Sequence, residues 1–161
     1  MQKTSKRRAP RSEYTSQNQL SFTGFETPFY NGLDPSNRWV VLSSLIPWDE
    51  LVSLFNKRNP PKSTGRPALN PRVLIGAVII KHILNVDDRE AVAQITENMY
   101  LQYFLGYSSY IKRPPFDASL FVDIRKRLGE KLLTEMNDKI YEFSQDSRLK
   151  KKIKPLPMML H

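Results

Sequence analysis

Apolar residues recur along this chain at helical spacing. In the segment 71–84 they occupy nearly every position, which is typical of a helix at the centre of a core. In the segment 118–128 the apolar positions Phe121, Ile124 and Leu128 fall at i, i+3 and i+7, which is typical of a helix with one buried face. No segment shows a convincing alternation of apolar and polar residues. The pattern therefore predicts an all-α protein, a compact multi-helix bundle.

Helix ends are marked by capping residues. Asn70 and Pro71 suit the N-cap and the first position of a helix. Asp87, with Glu90 three residues later, resembles a capping box. Gly129 suits a left-handed C-cap. The predicted helices are lead-in helices within 33–58, followed by 71–84, 88–97, 99–105, 118–128 and 130–145.

The two ends of the chain lack this periodicity. Residues 1–20 are polar and basic and are predicted to form a disordered arm. Residues 146–161 are predicted to be a basic linker or a truncated tail. Between them, 21–145 is predicted to be a single helical domain with its core helices in 65–145.

Composition narrows the class of partner. The chain has 25 Lys and Arg against 16 Asp and Glu, a formal net charge of +9, which favours an anionic partner such as nucleic acid. It has no cysteine, which excludes disulfides and cysteine metal sites. No apolar run approaches the roughly 20 residues of a membrane span, and no secretory signal follows the basic N-terminus. A membrane partner is therefore not expected.

The helix 118–128 carries the most suggestive group of cations. Three occur in succession at 125–127, and Asp117 or Ser119 is the predicted cap. Ser119 and the apolar Val122 lie on the side opposite the buried stripe. A recognition helix in a major groove combines cations, a small hydroxyl and an apolar contact to a thymine methyl group. The alternative is a solvated helix end, whose cations offset the helix macrodipole.

Further cations lie in predicted loops and at a helix start. They allow the same two interpretations. In one they contact DNA, along a groove or at the phosphates, and in the other they are simply solvated. The predicted DNA-contacting residues are Arg66, Arg72, Lys112, Arg113, Ser119, Val122, Arg125, Lys126 and Arg127.

The sequence offers no catalytic constellation. His82 lies within an apolar helix and is interpreted as a core or boundary residue. Asp117 and Asp123 leave a helix on opposite sides, so they do not converge on a metal. There is no Gly-rich phosphate loop, nucleophile elbow or zinc-ligand spacing. No catalytic residue, metal, cofactor or small-molecule substrate is predicted for this chain.

Three motifs occur in order along the second half of the chain. They are "GRPALNPRVLIGAVIIKHI" at 65–83, "DDREAVAQITENMYLQYFLGY" at 87–107 and "FDASLFVDIRKRLGE" at 116–130. Together they resemble the N-terminal domain of bacterial insertion-sequence transposases of the DDE type. One position departs from that family, because Leu120 follows Ser119 where members often have Thr. The departure removes a polar side chain that would otherwise be placed to touch DNA.

The resemblance implies recognition of the terminal inverted repeats of an insertion sequence, in double-stranded DNA of the bacterial cytoplasm and nucleoid. In such proteins a ribonuclease-H-like domain holds Mg²⁺ with two Asp and one Glu and cuts and joins the strands. This chain shows no segment with the strands of such a domain, so no catalytic acid is assigned to it. It is interpreted as an N-terminal piece or as a truncated, inactive transposase.

Other interpretations stay open at this point. A compact helix-turn-helix needs a turn of about three or four residues. Either 88–97 and 99–105 form that unit, or the DNA face is assembled from non-consecutive helices. The apolar helix 71–84 and the broad apolar set of 130–145 also fit an interaction module through which transposase subunits form a homodimer. A free-standing transcriptional regulator would need an effector or partner domain.

Overall fold

A computed structural model describes residues 32–60, 65 and 68–145 of the chain. Within these residues there are six α-helices and no β-strand, which confirms the predicted all-α fold. The helices are α1 (Arg38–Leu45), α2 (Trp48–Arg58), α3 (Pro71–Leu84), α4 (Asp88–Glu97), α5 (Met99–Phe104) and α6 (Leu120–Gln145). Among these helices none has the length and apolar character that crossing a membrane requires. The predictions for 1–20 and 146–161 concern residues outside this described part.

Helix α3 lies at the centre of the bundle, as its apolar surface predicts. The Asn70 side chain caps it by accepting a hydrogen bond from the Arg72 N–H at 2.9 Å, and Pro71 occupies the first position. Most of its side chains are buried, and it packs against α2, α4 and α6. Asn85 ends the helix with a φ of 52°, in the left-handed region that Asn enters more readily than most residues.

Helices α4 and α5 follow each other almost without a break. The Asp87 carboxylate accepts a hydrogen bond from the Glu90 N–H at 2.8 Å, which confirms Asp87 as the cap of α4. Asn98 ends α4 and also caps α5, because its side chain accepts a hydrogen bond from the Tyr100 N–H at 2.9 Å. The chain therefore turns sharply here, and α5 packs against both α4 and α1.

An aromatic cluster joins α5 to the two lead-in helices. The Phe104 ring lies edge-on to Trp39 of α1 and Trp48 of α2, with centroids 5.3 and 5.2 Å apart, a geometry that aromatic pairs favour. The Trp48 indole N–H donates a hydrogen bond to the Ser43 carbonyl at 2.9 Å. The one polar group of this large buried ring is thus satisfied inside the core.

Helix α6 changes direction at Gly129. This residue has φ 58° and ψ 165°, a combination that is essentially restricted to glycine. The predicted break between two helices is confirmed in position, but the second helical segment begins at once, with no intervening loop. Both segments contribute to the same core. Their buried apolar residues are Phe121, Ile124, Leu128, Leu132 and Met136.

Candidate nucleic-acid interface

The first turn of α6 is fixed by a side-chain cap. The Asp117 carboxylate accepts a hydrogen bond from the Ser119 N–H at 2.8 Å, so of the two predicted candidates Asp117 is the cap. Hydrogen bonds from the Ser119 hydroxyl and N–H lower the pKa of Asp117, and the positive charge of Arg89 adds to this effect. An ionised carboxylate at this place also suits the positive end of the helix dipole.

The side of the first α6 segment that faces away from the core is here called the outward face. It consists of Ser119, Val122, Asp123 and Lys126, all of which are exposed. Val122 is 44% exposed, whereas Phe121, Ile124 and Leu128 on the opposite side of the helix are buried. The face therefore combines a hydroxyl, a branched apolar side chain, a carboxylate and an ammonium group. These are groups that can read base edges, including a thymine methyl and the amino group of cytosine.

Arg125 lies at one flank of the outward face and is ion-paired. Its Nη1 and Nη2 donate hydrogen bonds to the two oxygens of Asp88 at 3.1 and 3.0 Å, the two-point geometry typical of arginine and carboxylate. Lys81 Nζ donates to the same carboxylate at 2.6 Å. The bonds from Arg125 and then Lys81 lower the pKa of Asp88, and Asp88 raises the pKa of Arg125. If Arg125 contacts DNA, Asp88 keeps Lys81 as its partner.

The other two cations of the run point elsewhere. Lys126 and Arg127 are exposed, and neither takes part in an ion pair with the described residues. Because consecutive helical residues are about 100° apart, Arg127 lies roughly 200° around the helix from Arg125. The Arg127 carbonyl accepts a hydrogen bond from the Asn59 side chain at 3.2 Å, which ties the end of α2 to this flank. Three successive cations are thus spread around α6 rather than clustered.

The loop before α6 presents two more predicted contacts, Lys112 and Arg113. Both side chains are exposed. A chain spans at most about 3.5 Å per residue, so the Arg113 Cα lies within about 14 Å of the cap Asp117. The loop that carries these cations therefore ends close to the start of α6.

Arg72 does not belong to that surface. Its residue is 2% exposed, and its Nε and Nη2 donate hydrogen bonds to the Phe104 carbonyl at 3.2 and 3.0 Å. Nη2 also donates to the Ser43 hydroxyl at 2.9 Å, and the guanidinium lies 4.5 Å from the centre of the Trp48 ring. The prediction that Arg72 contacts DNA is wrong, because α1, α2 and α5 enclose the start of α3. The guanidinium instead holds the end of α5.

One exposed cation near the start of α6 is not among the predicted DNA-contacting residues. Arg89 is exposed on the first turn of α4, and its charge acts on Asp117 at the start of α6. Arg89 is near Asp117 only because α4 lies close to α6 in the fold. No local sequence pattern predicts that these two helices lie close together. Arg66 lies outside the described residues, so its DNA contact stays a prediction.

Helices α4 and α5 do not have the geometry of a compact helix-turn-helix. A single residue, Asn98, separates them, and α5 has six residues. Leu101, Gln102 and Phe104 of α5 are buried, so this helix offers little surface to a groove. The alternative that stays a prediction is a face assembled from non-consecutive elements, namely α4, the loop around Lys112 and α6.

The net charge of the chain lies outside its described part. The described residues contain thirteen Lys and Arg and thirteen Asp and Glu, which gives no net charge. The remaining twelve cations and three anions, and hence the whole +9, fall in 1–31, 61–67 and 146–161. Bulk charge therefore does not single out α6, and only the local arrangement of side chains on α6 distinguishes this candidate interface.

Acidic and histidine residues do not converge in the described part of the chain. No three of them are placed there to hold a metal ion together. His82 is half-buried near the end of α3, in accord with its interpretation as a boundary residue.

Comparison with known proteins defines the class of this protein. Residues 28–127 match the family described as Transposase domain (DUF772), and the match covers more than half of the chain. The chain therefore belongs to this transposase domain family, which confirms the relation inferred from the three motifs.

A curated relative comes from Rhizobium meliloti, the "Uncharacterized protein ORF8 in nfe locus". The two sequences are 34% identical over 104 residues, which cover 65% of this chain and 49% of the relative. The chain thus spans about half the length of the relative it matches. No solved structure matches it.

Proposed function

We propose that this chain is a DNA-binding module of a transposase and that it recognises the terminal inverted repeats of an insertion sequence. The observation that carries the proposal is the outward face of α6. It is a capped, core-packed helix segment that exposes Ser119, Val122 and Lys126 side by side. A helix of this width fits a B-DNA major groove, and such a mixture of groups reads bases there.

Arg125 and Arg127 suit the two phosphate backbones that border the groove. They lie on opposite flanks of the helix, with the outward face between them. Contacts to phosphate fix the register of a protein on the duplex, whereas contacts to base edges give specificity. In this arrangement Ser119, Val122 and Lys126 read sequence, and the flanking arginines position the helix.

The basic segments outside the described residues supply the general attraction to DNA in this proposal. They hold twelve of the 25 cations and only three of the 16 anions. Counterion release on phosphate binding makes such attraction strongly dependent on salt. The salt dependence of the affinity then arises mainly from these segments, and the preference for the cognate repeat over other sequences arises from α6.

The chemistry of strand cleavage is assigned to another part of the parent transposase. By resemblance, that part is a DDE-type domain whose acidic residues hold Mg²⁺, and the module described here contributes recognition at the chromosomal DNA of the bacterial cytoplasm.

The proposal is tested with a fluorescent duplex taken from the ends of the parent element and a scrambled duplex of equal composition. The variant Lys126→Gln/Arg127→Gln removes two exposed cations from α6. The matched control, Lys57→Gln/Lys131→Gln, removes two exposed cations from α2 and from the second α6 segment. We expect the first variant to lose most of the preference for the cognate duplex and the control to keep it.

Folding is checked by thermal unfolding, since surface substitutions of this kind change stability by about 0.5 kcal/mol or less. Equal affinity of the wild-type chain for both duplexes would contradict specific recognition. Equal losses in the two double variants would move the interface away from the outward face.

A second candidate function is dimerisation of transposase subunits. The second α6 segment favours it, because Tyr141 is 58% exposed and Leu133 and Ile140 are half-buried beside the core. The apolar surface of α3 gives less support to this function, since most of it is buried within the chain. Sedimentation over a range of concentrations, with Tyr141→Ser as the variant, decides whether the chain self-associates through this segment.

A further inference from the structure

We infer that Gln102 is a positioning residue that holds the Lys112–Arg113 loop as a second, preformed contact for the DNA backbone. This inference rests on the proposed function and extends it to a residue without access to DNA. Gln102 is 0% exposed, lies in the middle of α5, and has no place in the outward face of α6.

The Gln102 side chain bonds to two stretches of backbone, the end of α4 and the loop residue Ile111. Its Nε2 donates hydrogen bonds to the carbonyls of Ile95, Thr96 and Ile111 at 3.1, 3.3 and 2.9 Å. Its Oε1 accepts a hydrogen bond from the Ile111 N–H at 2.7 Å. The amide therefore pairs with both polar groups of the Ile111 backbone, much as a neighbouring strand would. It fastens this residue to the end of α4.

Two further contacts hold the same loop. The Tyr110 hydroxyl donates a hydrogen bond to the Thr96 carbonyl at 3.1 Å. On the other side of the loop, Phe116 is 8% exposed and its ring lies edge-on to Phe121 of α6, with centroids 6.0 Å apart. The loop is thus attached to α4 at one end and to α6 at the other.

Only four residues lie between these attachments, namely Lys112, Arg113, Pro114 and Pro115. Each proline fixes its own φ near −65°, and a residue before a proline is restricted as well. The two cations are therefore exposed on a short, doubly anchored loop with little backbone freedom. Such a loop loses less conformational entropy on binding, which improves affinity without any new contact.

Hydrogen bonding explains why residue 102 is a glutamine. A buried amide that satisfies four hydrogen bonds stabilises a unique arrangement, and an apolar side chain of equal length leaves the Ile111 N–H and carbonyl unpaired. The α5 helix itself does not require this residue, because its ends are held by Asn98 and Gly106. The bonds of Gln102 serve the loop.

The test is a double-mutant cycle on DNA affinity with Gln102→Met and the loop variant Lys112→Gln/Arg113→Gln. The loop variant should make the negative slope of log affinity against log salt shallower by about 1.8, since each of the two lost phosphate contacts contributes about 0.9. Gln102→Met should weaken binding about two- to tenfold. The freed loop must then be immobilised when it binds DNA, and immobilising one or two side chains has about this cost. In the loop-variant background, Gln102→Met should have no further effect on affinity.

Local structure is measured in parallel by hydrogen exchange. In Gln102→Met, the Ile111 amide should exchange at least about tenfold faster, because it loses its acceptor, while the amides of α3 keep their rates. Tyr110→Phe, which removes only one hydroxyl, should show the same effects at smaller size. It carries the test if Gln102→Met does not fold.

The outcomes separate this inference from the proposed function. If the wild-type chain shows no preference for the cognate duplex, the proposed function fails and this inference fails with it. If the wild type has that preference but the loop variant keeps the full salt slope, only the inference fails. If Gln102→Met weakens binding equally in both backgrounds, Gln102 acts on the whole fold and not through the loop, which also overturns the inference.

Discussion

The start of α3 and the first segment of α6 both carry cations, and the protein uses them differently. Arg72 is 2% exposed and holds the end of α5 through the Phe104 carbonyl. Lys126 and Arg127 are exposed and form no ion pair with the described residues. Neighbouring helices bury the start of α3, whereas the first segment of α6 has one open side. A cation therefore indicates a nucleic-acid contact only when the packing of its helix leaves it accessible.

The largest effect is expected on the buried side of this comparison. Arg72→Met keeps the length of the side chain but leaves the Phe104 carbonyl without its donor. Loss of a buried charged hydrogen bond, partly offset by easier desolvation, should lower the free energy of unfolding by about 2–4 kcal/mol. Urea denaturation measures this. An unchanged midpoint would show that Arg72 is dispensable for the fold. It would contradict the structural role that distinguishes Arg72 from the exposed cations of α6.

Two glycines give a matched test of the space around Arg72. Gly106 has φ 90°, and a Cβ there would lie 3.0 Å from the Cδ and Nε of Arg72. Gly129 has φ 58° with no atom within 4 Å of such a Cβ. Backbone strain alone costs about 1–3 kcal/mol at such positions. Gly106→Ala should therefore destabilise the protein more than Gly129→Ala in thermal unfolding. Equal losses of stability would mean that the Arg72 side chain shifts aside without a measurable cost.

A smaller effect is expected on the outward face. If Val122 contacts a thymine methyl, replacing that thymine by uracil should weaken wild-type binding about fourfold, the value of one buried methyl group. Val122→Ser should bind both duplexes equally. Anisotropy titrations with single thymine-to-uracil replacements along the repeat supply the measurement. A variant that still discriminates between the two bases would remove Val122 from the interface.

The smallest effect is expected at the flank between the two regions. Asp88→Asn should lower the free energy of unfolding by only about 0.2–1 kcal/mol, because the pair with Arg125 is partly exposed. The folded pKa of Asp88 lies below its usual 3.8. The stability it contributes is therefore present above about pH 4 and is lost as the pH falls through the folded pKa. The unfolding curves of variant and wild type should converge in acid, and a difference that persists there contradicts this origin.

Local patterns predicted much of the fold. Asn70, Asp87 and Gly129 mark boundaries that the structure confirms, because caps and glycine conformations act over a few residues. The buried stripe of the first α6 segment follows in the same way from its spacing of Phe121 and Ile124. Such features need no knowledge of distant parts of the chain.

The candidate interface could be predicted only in part. The exposure of Lys126 and Val122 follows from helical spacing, but the pair between Asp88 and Arg125 joins residues 37 positions apart. Nothing local distinguishes Arg72 from an exposed arginine at a helix start. The side-chain bonds of Gln102 to Ile111 likewise depend on how α5 packs. These are tertiary relations, and they decided which cations remain available.

Amide NMR during titration with the terminal-repeat duplex tests the central distinction most directly. We expect the largest shift changes at 119–127 and at Lys112 and Arg113, while the amides around Arg72 and along α3 hardly move. Large changes around Arg72, or a saturated complex in which the outward face of α6 is unperturbed, would contradict it.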